Sequence, residues 1–234
     1  FPKKKEFNRT MSKLALLGAG GKMGLRLTAN LIGSRFEVAH VEISPRGQEA
    51  LAAKGIGTVS LEEALEGADA LLLALPDNRI AQVLGQIEGK IPAGTMVFML
   101  DVAVAHAGLL PARPDLTYFI AHPCHPPVLS YETDPLAHRD FFGGEHARQH
   151  ITCCLAQGPE EHYALGEEIA RTIYKPVMNA HRCTVEQMAI LEPVLSETIL
   201  GTCLMMLREA TDEAVRRGVP EAAARDFILG HMRV

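Results

Sequence analysis

The feature that most constrains the fold is a glycine cluster set between an apolar run and a helical pattern. Lys13–Leu17 is apolar and strand-like, it runs into Gly18-Ala19-Gly20-Gly21-Lys22-Met23-Gly24, and Met23–Ile32 then shows helical spacing. A glycine-rich turn in that context brings backbone N–H groups against a phosphate at the positive end of a helix. Gly18 permits the tight turn, Gly20 or Gly21 lets the backbone approach a pyrophosphate, and Gly24 lets the helix pack on the strand. The glycines at 18, 21 and 24 give G-x-x-G-x-x-G rather than the usual G-x-G-x-x-G, so the context carries the argument more than the spacing.

The alternation continues downstream. Phe36–Glu42, Thr58–Val59, Ala70–Leu75, Thr95–Asp101, Tyr118–Ala121 and finally Ile151–Ala156 read as strands; Gln48–Lys54, Leu61–Leu65 and Ile80–Ile87 read as helices. Continuous apolar runs separated by helices of this length predict βαβ units and strands buried on both faces. The expectation is an α/β fold: a doubly wound, mostly parallel Rossmann sheet over residues 11–157, followed by a smaller all-helical domain over 158–234. In the latter, Pro159–Ile173 and Glu221–Leu229 read as helices. Thr184–Arg217 is a long helix with a kink at Pro193, where proline deletes a ladder bond. Residues 1–10 lack an apolar core and read as a leader or expression remnant ahead of Met11, and the helical pattern at Val234 leads us to expect a longer natural chain.

Composition narrows the function. Lys plus Arg number 23 against 28 Asp plus Glu, a net charge of −5, which supplies no basic field for nucleic acid. A small anionic substrate therefore needs a local positive or metal site. No apolar run reaches the roughly 20 residues of a membrane span, so no membrane partner is expected. Five cysteines, two of them adjacent at 153 and 154, make no disulfide scaffold and point to a reducing cytoplasm.

Candidate site residues gather at predicted strand ends. Glu42, 24 residues after Gly18, suits the ribose hydroxyls of NAD and repels a 2′-phosphate, with Arg46 close by. Leu75-Pro76-Asp77-Asn78 and Asp101 end two further strands at the carboxyl edge, where open α/β sheets bind ligands; Asp77 and Asn78 equally suit capping of the next helix. His122-Pro-Cys124-His125-Pro-Pro sets two imidazoles in stiffened backbone at the same edge, with His serving acid–base chemistry or metal ligation. Glu192 interrupts the apolar stripe Val185, Met188, Leu195, Ile199, where a carboxylate is costly unless paired, hydrogen-bonded or metal-bound. The Cys203-Leu-Met-Met-Leu run reads as packing, and Phe141-Phe-Gly-Gly144 as a mobile loop able to cover substrate.

Taken together, Leu-Leu-Gly-Ala-Gly-Gly-Lys-Met-Gly, Leu-Pro-Asp-Asn and Ala-His-Pro-Cys-His-Pro-Pro ahead of a helical domain resemble the 6-phosphogluconate dehydrogenase-like superfamily. With Glu-Gln-Met-Ala-Ile-Leu-Glu-Pro added, the chain looks most like the D-apionate oxidoisomerase group. The resemblance implies NAD-dependent oxidation of a branched sugar acid at carbon 2, then an α-ketol shift to 3-oxo-isoapionate. It further implies a divalent metal ion bound by His122 and Glu192, these two and His125 being the catalytic set. Residues 18–24, Glu42, residues 75–78 and Asp101 would hold NAD. The plain hydroxyacid dehydrogenases of the superfamily use a helical lysine, and this chain has none from Thr184 onward. A sugar-acid dehydrogenase without rearrangement remains the alternative, whereas a silent sensor of nicotinamide redox state has no need of a buried glutamate and two histidines. Apolar residues on more than one face of the long helix predict a homodimer.

Overall fold

The computed structural model describes residues 12–129 and 132–232; the expected leader at 1–10 and Met11 lie outside the described residues. One seven-stranded sheet has the order β2-β1-β3-β4-β5-β6-β7. The strands are β1 (Ser12–Leu17), β2 (Phe36–Val41), β3 (Ala70–Leu73), β4 (Met96–Met99), β5 (Thr117–Pro123), β6 (Gln149–Gln157) and β7 (Val177–Arg182). The first five pair in parallel, β6 runs antiparallel to β5, and β7 is parallel to β6. Every residue of β3 and β4 is buried, as a parallel strand covered on both faces requires.

Helices connect these strands: α1 (Lys22–Leu31), α2 (Pro45–Ala52), α3 (Leu61–Leu65), α4 (Asp77–Ile87), α5 (Ala103–His106) and α6 (Tyr163–Ile173). Leu14, Leu16, Leu72, Phe98 and Phe119 pack with Leu27 and Leu31 of α1 and Ile169 and Ile173 of α6 into one core. Burial of each such side chain favours folding by about 1.5–3 kcal/mol.

Local chemistry explains where expectation and structure part. Thr58–Val59 forms no strand; the Val59 amide only donates to the His40 carbonyl, 2.9 Å away. Conversely, β7 is a strand within a region expected to be all helical. As the sheet's last strand it is half polar, with Asn179, His181 and Arg182 exposed, so no apolar run announces it. Because β7 extends the sheet, the first compact unit runs to Val185, past the expected boundary at 157.

The second unit comprises Glu186–Val234. The helical path beginning with α7 (Val185–Ala189) continues through a π-helical segment, Ile190–Leu200, into α8 (Gly201–Arg216), and α9 (Glu221–His231) packs against α8. Where a proline kink was expected, the helix widens: Pro193 donates no ladder bond, and its carbonyl accepts from Thr198 Oγ1 at 2.7 Å. Val185–Arg216 is long and apolar enough to cross a membrane by length and composition alone, contrary to the expectation that no stretch would be. Leu195, Ile199, Leu204, Met205 and Met206 are all at least half exposed in the single chain.

Candidate active site

The glycine turn divides its labour among its members. Gly18 has φ +79°, and a Cβ there would stand 2.5 Å from the Ala74 carbonyl oxygen. The amides of Gly18 and Ala19 donate to the Val41 carbonyl at 3.0 and 3.2 Å, which ties the turn to β2. At Gly24 a Cβ would meet the Gly18 oxygen at 2.1 Å, so this glycine permits the close helix–strand approach. Gly20 faces protein, its added Cβ falling 2.4 Å from Gly47 of α2. Gly21 is the exposed one. It N-caps α1 without a side-chain cap, leaving first-turn N–H groups, including those of Lys22 and Met23, for a phosphate. Of the two candidates for pyrophosphate approach, the geometry favours Gly21.

Glu42 is fixed at the end of β2 by two backbone amides. Its Oε2 accepts from the Gly20 amide at 2.9 Å and its Oε1 from the Ser44 amide at 2.8 Å. Burial pushes its pKa up, but the amides of Ser44 and Gly20 outweigh this and hold it below the usual carboxylate range. Ser44 also caps α2 through Gly47, and Arg46 lies in that helix's first turn.

Residues 75–78 follow β3 at the same edge. Pro76 occupies the N-cap of α4, so Asp77 and Asn78 are its first helical residues rather than its caps. Asp77 there complements the positive end of the helix, and the Leu75 side chain lies beside Gly18. Asp101, two residues beyond β4, accepts from the Ala103 amide.

His122 closes the row. Register between β4 and β5 pairs Met99 with Ile120, and continuing it sets Asp101 beside His122. One ligand atom of each lies within 4.8 Å of the other. Oxygen and nitrogen donors this close suit a divalent cation. Thr152 Oγ1 donates to the His122 carbonyl at 3.3 Å. Glu192 lies between Leu191 and Pro193 in the π-helical segment of the second unit.

His125 takes a left-handed backbone, φ +60°, the only such non-glycine among the described residues. Its Nδ1 lies 2.8 Å from the Phe142 carbonyl, its ring 4.7 Å from the Phe142 ring, and 6.0 Å from that of His122. The Phe141–Gly144 segment, expected to be mobile, is instead tethered. Asp140 accepts from the amides of Gly143, Glu145, His146 and Ala147, while Arg26 and Asn30 of α1 donate to the carbonyls of Gly143 and Gly144. Sequence reading missed these three residues; an aspartate three positions before a Gly-Gly pair was the available turn signal. Cys124 is raised in pKa by burial, and Cys153 is pushed up to about 12, chiefly by burial, which makes both poor nucleophiles.

Comparison with known proteins follows the same lines. Residues 130–234 match the family described as phosphogluconate dehydrogenase (decarboxylating) C-term. A D-apionate oxidoisomerase from Rhizobium rhizogenes is 56% identical over 225 residues, covering 96% of this chain and 82% of its own length. One from Pectobacterium atrosepticum is 37% identical over 96% of this chain and 79% of its own. A crystal structure described as a semialdehyde dehydrogenase NAD-binding protein from Cupriavidus necator, in complex with calcium and NAD, superposes with TM-score 0.92. It is 55% identical, over 94% of this chain and 80% of that one. An NADH-preferring ketol-acid reductoisomerase from an uncultured archaean, 17% identical with TM-score 0.71 over 96% and 67%, shares the fold.

Fold and site together define a Rossmann-type, dinucleotide-dependent oxidoreductase. Within that class the relatives fix the family: this chain belongs to the D-apionate oxidoisomerases.

Proposed function

We propose that this chain oxidises D-apionate at carbon 2 with NAD and then moves a hydroxymethyl group by an α-ketol shift, giving 3-oxo-isoapionate. The observation that carries the reading is the alignment of one sheet edge: an open glycine turn, the Glu42 carboxylate fixed by the Gly20 amide, and the Asp101–His122 pair. NAD fits that edge through the Gly21 turn and Glu42. A divalent ion fits the donor set of His122 and Asp101, and the family resemblance adds Glu192 as a ligand. When bound, NAD accepts the hydride, and a divalent ion polarises two substrate oxygens for the shift.

The protein's own groups then have defined work. Glu42 orients the adenosine ribose, and the α1 amides neutralise phosphate charge. His125 donates its Nδ1 proton to the Phe142 carbonyl, since a carbonyl only accepts, which leaves Nε2 to receive the carbinol proton. The exposed apolar face of the long helix we assign to a second copy, in a homodimer, rather than to lipid. The free thiols fit a cytoplasmic setting.

The test is NADH formation with D-apionate, repeated after chelation and after adding back divalent ions, with the product skeleton read by NMR. Turnover that chelation abolishes and metal restores, giving a rearranged skeleton, supports the reading. Metal-indifferent turnover to an unrearranged product establishes the plain sugar-acid dehydrogenase instead.

A further inference from the structure

The loop that carries Phe142 is gripped from the dinucleotide-binding helix. The Arg26 guanidinium lies 4.4 Å above the centre of the Phe142 ring, Nη1 donates to the Gly143 carbonyl at 2.8 Å, and Nη2 pairs with Glu145 at 3.3 Å. Asn30, one turn along α1, donates to the Gly144 carbonyl at 2.9 Å. Phe142 also meets His125 twice, ring to ring and carbonyl to Nδ1. His125 sits in a left-handed backbone conformation that few non-glycine residues adopt, histidine among the more tolerant of them, and such positions cluster at functional sites.

These contacts form one chain from α1 to His125, and each link has a direction. A carbonyl can only accept, so Phe142 selects the Nδ1–H form of the imidazole and leaves the Nε2 lone pair open. The Phe142 ring sets the tilt of the imidazole. The planar Arg26 fork holds that ring and the following carbonyl together, a geometry that a lysine ammonium cannot reproduce. Asp140 fixes the backbone around the Gly143–Gly144 turn, so the strain at His125 is not relieved by the loop giving way.

We propose that Arg26 is a positioning residue for the oxidation step: from the cofactor helix it clamps Phe142, and through Phe142 it holds His125 in one tautomer with Nε2 as the proton acceptor. The inference rests on the proposed role of His125, and it couples the helix that receives the dinucleotide phosphates to the group that takes the substrate proton. It also separates the two histidines, His122 beside Asp101 as a ligand and His125 as a clamped base.

The experiment compares Arg26→Met, Arg26→Lys, Phe142→Tyr and Phe142→Leu, using the full chain. The expected result is a fall in kcat of about 10- to 100-fold for Arg26→Met and Phe142→Leu, the scale of a misplaced reacting group. KM for NAD should stay within about threefold, because neither side chain holds the dinucleotide. Arg26→Lys should rescue only in part, and Phe142→Tyr, which keeps the aromatic ring, should lose less than Phe142→Leu. Histidine-selective 15N and 13C NMR supplies a readout independent of turnover. The His125 ring should be a single Nδ1–H tautomer in wild type and a mixture in Arg26→Met. An unchanged His125 tautomer in Arg26→Met overturns the proposal, even if stability falls. A tautomer shift in a protein that oxidises no sugar acid upholds the clamp and sinks only the proposed reaction.

Discussion

The Glu42 carboxylate and the Gly20 amide meet at 2.9 Å, joining the end of β2 to the glycine turn. The second carboxylate oxygen is held by the Ser44 amide at 2.8 Å, so the side chain is oriented before any nucleotide arrives. Replacing Glu42 by Ala removes a charged acceptor that two backbone donors hold in place. We expect NAD affinity to fall by about 10- to 100-fold, the scale of a charge-assisted hydrogen bond of roughly 1.5–3 kcal/mol. Discrimination against NADP should narrow, because the repulsion of a 2′-phosphate is lost while Arg46 remains. Titration of both coenzymes into the variant checks this; unchanged NAD affinity would sink the ribose assignment.

The three central glycines should separate cleanly by substitution. A methyl group at Gly24 would lie 2.1 Å from the Gly18 oxygen, and one at Gly20 would lie 2.4 Å from Gly47, both against backbone that cannot yield cheaply. Gly24→Ala and Gly20→Ala should therefore lose stability, by about 1–3 kcal/mol or more, as overpacked positions do. Gly21→Ala meets only the Gly18 oxygen at 3.3 Å, in exposed backbone, so it should fold with nearly wild-type stability. Its KM for NAD should nonetheless rise severalfold if the pyrophosphate is held at this turn as proposed, since the added methyl would crowd that approach. Thermal unfolding alongside coenzyme titration distinguishes the classes, and equal destabilisation by all three would count against this division.

Much of this was legible in the sequence, for a physical reason. Parallel strands buried on both faces must be apolar throughout, so Ala70–Leu73 and Met96–Met99 announce themselves. The glycine turn is equally plain because a tight turn and close packing admit little else. By contrast β7 is invisible. It is a polar edge strand whose pairing with β6 is long-range, with Thr152 opposite His181, and nothing local encodes that register. The same limit hid the clamp on His125. Arg26 and Phe142 are more than a hundred residues apart; Arg26 alone reads as an ordinary helix residue, and the Phe141–Gly144 segment as a mobile loop rather than a clamped one. Thr58–Val59 shows the opposite error, since β-branched residues gave a strand signal to a segment with a single backbone bond to β2.

Asp140 should tie loop order to pH. Burial raises its pKa, but the amides of His146, Ala147, Glu145 and Gly143 outweigh burial and hold it below the ordinary carboxylate value. A depressed folded pKa means the unfolded chain binds the proton first as pH falls. The stabilisation is therefore complete above the ordinary value of about 3.9 and is lost as pH drops through the lower folded value. Asp140→Asn keeps the shape and removes the charge on which four amides converge. It should cost about 1.5–3 kcal/mol at neutral pH, the range for hydrogen bonds to charged groups. Its stability should also fall less steeply than wild type below about pH 4. Denaturant melts at neutral and acid pH check both; parallel pH profiles would show that Asp140 is not the group responsible.

The long helix sets the last expectation. Leu204, Met205 and Met206 are 50%, 52% and 62% exposed in the single chain, on a helix whose neighbouring turns expose Leu195, Ile199 and Leu200 as well. Water against so many large apolar side chains is unfavourable by about 25 cal/mol for each Å² left uncovered, and continuous patches of this kind mark association surfaces. A second copy covers such a face with the same face of its own, which is the commonest symmetric solution. Light scattering at micromolar concentration should report a dimer. Met206→Glu, which sets a charge in the middle of the patch, should shift the equilibrium to monomer without lowering the order of the Rossmann sheet, as followed by circular dichroism. A wild-type monomer at that concentration would overturn the assignment. Partition into lipid vesicles in its place would turn the helix over to a membrane.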